Sequence, residues 1–208
     1  MAARSLTKDQ AALRKAAHKA HVDGAPGALQ AYATYLAQVP DDGPFWSNLG
    51  ALHRKQGRYQ QALRAQEQAQ RFAPDDIGLR NNYANILSDL GHYNASIAAR
   101  RWILERRPDD VTQKAMIGRC LRGQGDYRGA IDYLTGVISA HPDDTELQMQ
   151  LAFAQLGAGQ YQQAFDTYRA RWQTDELTPR NMPFPEWNGE PLAGKTILVL
   201  PEQGFGDA

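Results

Sequence analysis

Small and apolar side chains recur along this chain at a fixed spacing of 34 residues. Two registers hold small residues, and two others hold only glycine or only tyrosine. Their members are Gly50, Ala84, Gly118 and Ala152; Ala62, Ser96, Ala130 and Ala164; Gly57, Gly91, Gly125 and Gly159; and Tyr59, Tyr93, Tyr127 and Tyr161. Four such registers with one period predict stacked helix–turn–helix units, because small residues let paired helices approach closely.

The tripeptide Pro-Asp-Asp follows the same period and predicts where each unit ends. Proline has no N–H and fixes φ, so it stops the second helix of a unit. The aspartates that follow, such as Asp42 and Asp76, can accept hydrogen bonds from the free N–H groups of the next helix. Glycine in the register of Gly57 tolerates a positive φ and ends the first helix. The four tripeptides begin at Pro40, Pro74, Pro108 and Pro142.

The repeating pattern resembles that of the tetratricopeptide repeat (TPR) family. In residues 43–76 the resemblance is carried by Trp46, Leu49, Gly50, Gly57, Tyr59, Ala62, Ala69 and Pro74. It implies an all-α solenoid of about five helix–turn–helix repeats over residues 7–175, with units of about 7–42, 43–76, 77–110, 111–144 and 145–175. The pattern fades after Trp172, where Glu176 stands at the position expected for proline.

Composition indicates where the protein is located and what its cysteine does. The 208 residues are 42% hydrophobic and have a formal net charge of zero. No apolar run reaches membrane-spanning length, and the first ten residues lack the apolar centre of a signal peptide, so we expect a cytoplasmic protein. The single cysteine, Cys120, cannot form an internal disulfide and is predicted to be a core thiol.

One arginine cluster offers a choice between two interpretations. A nucleic-acid or acidic-partner patch is one, and a solvated outer helix face is the other. We favour the outer face and expect no nucleic-acid partner, because the rest of the chain is not basic. The cluster comprises Arg100, Arg101, Arg106 and Arg107, beside Trp102.

The TPR resemblance also implies that the first helices line a concave groove for a protein or peptide. Asn48 and Asn82 stand one repeat apart and resemble the start of an asparagine ladder, in which amides hold extended backbone by donating and accepting. Met116 and Gln150 interrupt this ladder. The alternative interpretation, which stays open, is that asparagine is simply common at this TPR position. The candidate groove residues are Arg14, His18, Ser47, Asn48, Asn81, Asn82, Asn85, Arg119 and Arg122.

Other recognised chemistries fit the sequence less well. A clamp for a C-terminal carboxylate matches only Arg14, His18 and Asn48, since Gly78 and Asn82 replace its later basic residues. His18 and His21 lie one turn apart without a third ligand, so no metal site is expected. Residues 189–196 match a phosphate-binding motif, but a proline-rich stretch precedes it and a strand-like run follows it. We therefore expect no cofactor in this chain.

The pattern changes after the repeats. Residues 176–193 are predicted to be a linker or capping segment, and residues 194–208 the truncated first strand and loop of a Rossmann-like domain. The stretch FPEWNGEPLAGKTILVLPEQGFGDA resembles the start of the heptosyltransferase-like domain of bacterial TPR–glycosyltransferase proteins. That resemblance implies that the chain is an N-terminal piece of a longer protein. Only this longer parent would bind a nucleotide-sugar, and Asp207 would be the candidate base that activates the acceptor hydroxyl there.

These observations predict a protein-binding scaffold without transferase activity of its own. It would be the targeting or acceptor-recognition region of a glycosyltransferase-like protein. Two alternatives remain: a parent that transfers sugar to a protein or glycan acceptor, and repeats that mediate self-association.

Overall fold

The computed structural model describes residues 5–174 and 182–200. Within the first range the chain forms an all-helical solenoid whose helices follow one another in pairs joined by short turns. The helices are α1 Lys8–Val22, α2 Ala28–Gln38, α3 Gly43–Lys55, α4 Tyr59–Phe72, α5 Ile77–Asp89, α6 Tyr93–Leu104, α7 Val111–Gly123, α8 Tyr127–Ile138, α9 Thr145–Gly157 and α10 Tyr161–Tyr168, followed by a 3₁₀ helix at Arg169–Gln173.

The second aspartate of each Pro-Asp-Asp caps the helix that follows it, as predicted. The Asp76 carboxylate accepts from the Leu79 N–H at 3.0 Å, and Asp42 accepts from the Phe45 N–H at 3.1 Å. Asp110 and Asp144 do the same for α7 and α9. Each cap satisfies one backbone donor that the first helical turn leaves unpaired. The tripeptide therefore fixes helix spacing and has no need of a catalytic role.

Replacing a capping aspartate is expected to destabilise the solenoid, whereas replacing its neighbour is not. Asp76→Ala should lower the free energy of unfolding by about 0.5–2 kcal/mol, since the Leu79 N–H loses its acceptor. Asp75→Ala removes the same charge from an exposed, non-capping position and serves as the control. Urea denaturation followed by circular dichroism measures both, and equal effects would contradict the capping role.

The turn within each pair depends on glycine. Gly57 has φ = 71° and Gly125 has φ = 80°, and the equivalent residues of the other pairs are also at positive φ. A residue with a Cβ is strained in this region, so these positions confirm the predicted end of each first helix.

The helices form two layers. Each helix packs against the next along the chain, and first helices of successive pairs also touch, α3 with α5 and α7 with α9. Among the described helices, the second helices of successive pairs make no comparable contact. Stacking of this kind leaves a continuous surface on the more closely packed layer, which is the layer of α1, α3, α5, α7 and α9.

The small-residue registers lie where the two layers cross. Ser96 donates to the Ala84 carbonyl at 2.8 Å, and a Cβ added to Gly50 would lie 3.2 Å from the Ala62 carbonyl oxygen. All eight members of the two registers are buried. Larger side chains there would force the paired helices apart, which confirms the reason inferred for these positions.

The structure corrects one interpretation of the arginine cluster. Arg100 does not belong to a solvated outer face: it is 0% exposed and lies between the two layers. Arg101, Arg106 and Arg107 are exposed as expected, and Arg106 stacks on the Trp102 ring with 3.6 Å between the guanidinium carbon and the ring centroid. The four arginines therefore do not form one surface.

Residues 175–208 form a separate unit, of which 182–200 are described. The strand predicted at the start of 194–208 does not form in the described part of that range: residues 196–200 have no regular structure, and Val199 is 71% exposed. A strand needs a neighbour to pair with, and none is present among the described residues. Asp207 and Glu176 lie outside the described residues.

Candidate functional site

All nine predicted groove residues lie on first helices. Arg14 and His18 lie on α1, and Arg119 and Arg122 on α7. Ser47 and Asn48 lie on α3, and Asn81, Asn82 and Asn85 on α5. Their shared surface is the first-helix layer, and we call the middle of it, over α3, α5 and α7, the central groove. Their roles in binding stay predictions.

Asn82 links two repeats through side chains. Its Nδ2 donates to the Ser47 Oγ at 3.0 Å, across α3 and α5. Ser47 is buried, while Asn82 and Asn48 are both partly exposed. This bond leaves the Asn82 carbonyl oxygen facing outward as an acceptor, since a side-chain amide has one oxygen and one NH₂ group. The two rungs of the predicted ladder thus differ, because Asn48 has no side-chain partner among the described residues.

A buried arginine lies directly beneath the central groove. Arg100, from α6, donates to the Gln113 Oε1 at 2.8 Å and to the Asn85 Oδ1 at 2.7 Å. Gln113 in turn donates from Nε2 to the Asn81 Oδ1 at 2.9 Å. The two asparagines are one helical turn apart on α5, so a single guanidinium organises two positions of the groove.

The arginine fixes which way these amides point. A guanidinium has only donors, so the oxygens of Gln113 and Asn85 must face it. Gln113 then presents its NH₂ to Asn81, whose oxygen faces inward for the same reason. The NH₂ groups of Asn81 and Asn85 remain without a partner among the described residues. The central groove therefore offers fixed N–H donors, which match carbonyl or carboxylate oxygens.

The charge of Arg100 has no carboxylate partner among the described residues. Its Nε is buried without a hydrogen-bond acceptor there. Burial lowers the pKa of the Arg100 guanidinium; the Cys120 thiol opposes that shift, and the positive charges of Arg119 and Arg54 add to it. Cys120 itself is buried, as predicted, with its Sγ 3.5 Å from the Ser96 Oγ. The site is thus a buried positive charge surrounded by neutral dipoles.

A recess of about 350 Å³ opens beside this network. That volume is at the lower end of the range for ligand pockets, large enough for one side chain. Arg54 forms a two-pronged ion pair with Asp89 on its wall, with 3.2 Å between Arg54 Nη2 and Asp89 Oδ1. Its lining residues are Ala51, Arg54, Lys55, Tyr59, Asn82, Asn85, Ile86 and Asp89.

The remaining predicted groove residues are placed differently. Arg14 pairs with Asp42 at 3.1 Å and lies over the Phe45 ring, so it serves the packing of α1 on α3. Arg122 lies over the Phe153 ring at 5.4 Å and has its Nε buried. His18 and Arg119 are exposed. The structure therefore does not bring Arg14 and His18 into the Arg100 network.

Several residues of the groove were missed by sequence reasoning: Arg54, Lys55, Asp89, Arg100 and Gln113. A signal for two of them exists in the repeat itself. Arg100 shares its register with Leu134, and Gln113 shares its register with Leu147; both leucines are 0% exposed. The register of Gln113 is otherwise apolar, whereas that of Arg100 also holds the buried Gln66 one repeat earlier. Polar residues at such buried registers in adjacent units predict a buried polar contact.

His21 gives the N-terminal pair a pH dependence. Its Nδ1 lies 2.9 Å from the Tyr32 hydroxyl, and burial lowers its pKa, with the charges of His18 and Lys55 acting in the same direction. Below its ordinary pKa of 6.5 the unfolded chain therefore binds more protons than the folded chain, so stability falls as pH falls. His21→Gln is expected to flatten this decline between about pH 7.5 and 5. Melting curves across that range measure it, and an unchanged slope would count against it.

In the chain that the structure describes, no helix is both long and apolar enough to cross a membrane. The same residues contain no group of three or more histidine, cysteine, aspartate or glutamate side chains placed to hold a metal ion.

Comparison with known proteins identifies the same type of repeat as the sequence pattern. Models of the tetratricopeptide repeat match residues 43–76 and residues 121–175. A search of the curated proteins finds no significant match. The chain shares the fold of MamA from Desulfovibrio magneticus RS-1, with a TM-score of 0.71 and 14% identity, covering 82% of this chain and 99% of that one.

Two further solved structures show the same likeness. A crystal structure of MamA protein gives a TM-score of 0.68 at 15% identity, over 81% of this chain and 92% of that one. A tetratricopeptide repeat protein from Parabacteroides merdae ATCC 43184 gives a TM-score of 0.70 at 16% identity, over 82% of this chain and 69% of that one. At these identities the likeness concerns the fold alone. This chain therefore contains tetratricopeptide repeats, folded as an all-helical solenoid.

Proposed function

We propose that the solenoid is a protein-interaction scaffold that binds a polypeptide segment along its first-helix layer. The observation that carries this proposal is the pair of NH₂ groups of Asn81 and Asn85, oriented because Arg100 donates to the Asn85 oxygen and Gln113, itself held by Arg100, donates to the Asn81 oxygen. Fixed donors in a row suit the carbonyl oxygens of an extended chain, and they are already ordered before the partner arrives, which lowers the entropic cost of binding.

Site-specific crosslinking tests the location of the binding surface. A photoreactive benzoylphenylalanine in place of Ala51, exposed on α3 at the recess, is expected to give protein adducts in a whole-cell extract of the source organism. The same group in place of Arg64, exposed on the second helix α4, is the matched control and should give none. Adducts from position 64 alone, equal adducts from both, or none from either would contradict the proposal.

A further proposal concerns the protein to which such a scaffold would belong. Residues 184–208 resemble the start of a heptosyltransferase-like domain, so the repeats would serve as the targeting or acceptor-recognition region of a glycosyltransferase-like protein. On this proposal residues 1–208 bind a partner but do not consume a nucleotide-sugar. Release of nucleotide from UDP- or ADP-sugars by purified 1–208 would contradict this division of roles.

Self-association is the second candidate function, favoured by the surface of α10. Tyr161 and Phe165 are 63% and 61% exposed on this helix, whereas Tyr127 in the preceding repeat is 37% exposed. Exposed aromatic groups one turn apart are typical of interaction surfaces. Sedimentation velocity over a range of concentrations tests it: a single monomer species throughout would exclude this function, and a dimer lost in Phe165→Ser would support it.

A further inference from the structure

The charge of the solenoid is concentrated on the first-helix layer. Its five helices carry ten lysines and arginines and three carboxylates, Asp9, Asp89 and Glu146, whereas the whole chain has a net charge of zero. The balancing acids are largely in the turns, where aspartates cap helices. The helices that the proposed function assigns to binding therefore carry a net charge of +7 within their own bounds. Turn aspartates neutralise Arg14 and Lys19, and an acidic partner would complement the remaining positive charge.

This positive charge is present at the recess. Lys55 is exposed on its rim and forms no ion pair with any described residue. Arg54 is already neutralised by Asp89, the single carboxylate of the lining. Arg100 lies behind Asn85, one hydrogen bond from the recess. The charge of Lys55 thus lies at the recess and that of the fully buried Arg100 lies behind Asn85, and neither has a carboxylate partner among the described residues.

The burial of Arg100 makes a counter-charge favourable. A guanidinium removed from water without a carboxylate is costly, and neutral amides compensate it only in part. A carboxylate bound at the Asn85 NH₂ would lie at the far end of an amide whose oxygen the guanidinium already polarises. Interactions of this kind strengthen one another in a partly buried site, because the surrounding dielectric is low.

The donor pattern separates acidic from basic ligands. A carboxylate has only acceptors, so it can bond to the Asn85 NH₂ and to the Lys55 ammonium together. An ammonium or guanidinium of a partner would meet like charges and outward-facing donors. Among the side chains that line the recess, acceptors are offered by the Asn82 oxygen, the Tyr59 hydroxyl and Asp89, and Asp89 is paired, so the one negative charge of the lining is already neutralised.

We propose that the central groove selects an acidic polypeptide segment, with one Asp or Glu carboxylate seated in the recess between Lys55 and Asn85. This inference rests on the proposed function and names its class of partner. A nucleic acid would also complement positive charge, but single strands require aromatic platforms for their bases. Tyr59 is the single aromatic residue that lines the recess, so an acidic polypeptide fits better.

Synthetic peptides test the preference directly. The probe is a fluorescein-labelled peptide of alternating Glu and Ala, about 12 residues long, which extends to roughly 40 Å at about 3.4 Å per residue. Its matched controls replace every Glu by Gln or by Lys. Fluorescence anisotropy with purified 1–208 at low salt is expected to show binding of the Glu peptide at least about tenfold tighter than the Gln peptide, and none of the Lys peptide.

Charge reversal locates the effect. Lys55→Glu is expected to weaken binding of the Glu peptide by about tenfold, and Arg64→Glu, which makes the same charge change on the exposed face of α4, by less than about twofold. Circular dichroism checks that both variants keep the wild-type helix content. Equal affinity for the Glu and Gln peptides would overturn the proposal, as would equal effects of the two variants. Tighter binding of an oligothymidylate that displaces the Glu peptide would do so too.

The outcome also separates this inference from the proposed function. If position 51 crosslinks to proteins while the Glu and Gln peptides bind equally, the groove binds protein and only the acidic preference fails. If position 51 gives no adduct and no peptide binds, both fail.

Discussion

Leu134→Ala is expected to lower the free energy of unfolding by about 2–5 kcal/mol, because it removes a fully buried side chain and leaves a cavity. Leu134 is 0% exposed on α8 and packs in a cluster with Ala115, Leu147 and Leu151. Its other neighbour is the backbone of Gly118, and a Cβ at that position would lie 2.6 Å from the Leu134 Cδ2. The two residues therefore share one volume, and neither can change freely.

A double-mutant cycle tests this shared volume. Gly118→Ala alone is expected to cost about 1–3 kcal/mol through overpacking. The double variant should lose less than the sum, by about 0.5–3 kcal/mol, since the new methyl group occupies part of the cavity. Gly136→Ala on the exposed face of α8 is the control, because a Cβ there meets nothing within 4 Å, and it should raise stability slightly. Urea denaturation measures all four variants, and strict additivity would show that Gly118 and Leu134 do not compete for space.

Asn85→Asp is expected to raise stability and abolish the acidic preference together. The change preserves shape and keeps an oxygen toward Arg100, so the hydrogen bond of 2.7 Å becomes an ion pair. It should stabilise the fold by about 1–2 kcal/mol, since charge-assisted bonds are about twice as strong as neutral ones. It also removes the outward NH₂ and adds a negative charge at the recess. Binding of the Glu peptide should then fall at least about tenfold.

Asn82→Asp is the matched control for this variant. It lies on the same helix and lines the same recess, but its amide donates to Ser47 and has no contact with Arg100. The Ser47 hydroxyl can turn to donate to the new carboxylate, so we expect no gain in stability of the size expected for Asn85→Asp. If Asn85→Asp failed to raise the melting temperature above that of Asn82→Asp, Arg100 would not be short of a counter-charge.

The periodic features of the fold are predictable from the sequence because each has a local cause. Asp76 caps its helix through a bond three residues away, and Gly57 ends its helix through its own φ. Such short-range effects recur in every repeat, so comparing four units shows them clearly. The all-helical solenoid follows from these rules and from the small residues at the helix crossings.

The Arg100 network is not local and was misjudged for that reason. Its bonds join α6 to α5 and α7, and Gln113 stands 13 positions after Arg100. A cluster of four arginines on one segment suggests a solvated face when only neighbouring residues are compared. Comparison across the period would have corrected this, because Leu134 stands at the same register as Arg100 and Leu147 at that of Gln113.

The apolar run of residues 196–200 shows a different limit. Its composition favours a buried strand, but a strand forms only when other strands supply hydrogen-bond partners. Side-chain pattern alone thus predicts what a segment would do inside a sheet. Within the described residues no such partner exists, and Val199 and Leu198 are exposed.

Binding of a partner to the first-helix layer through the donors that Arg100 orders can be observed at those donors themselves. The ¹H–¹⁵N spectrum of the asparagine side chains reports on them in purified 1–208 titrated with the Glu peptide. We expect the NH₂ signals of Asn81 and Asn85 to shift on binding and the backbone shifts to concentrate on α3 and α5. Shifts confined to the second helices α4, α6 and α8, with the Asn81 and Asn85 signals unmoved, would contradict it.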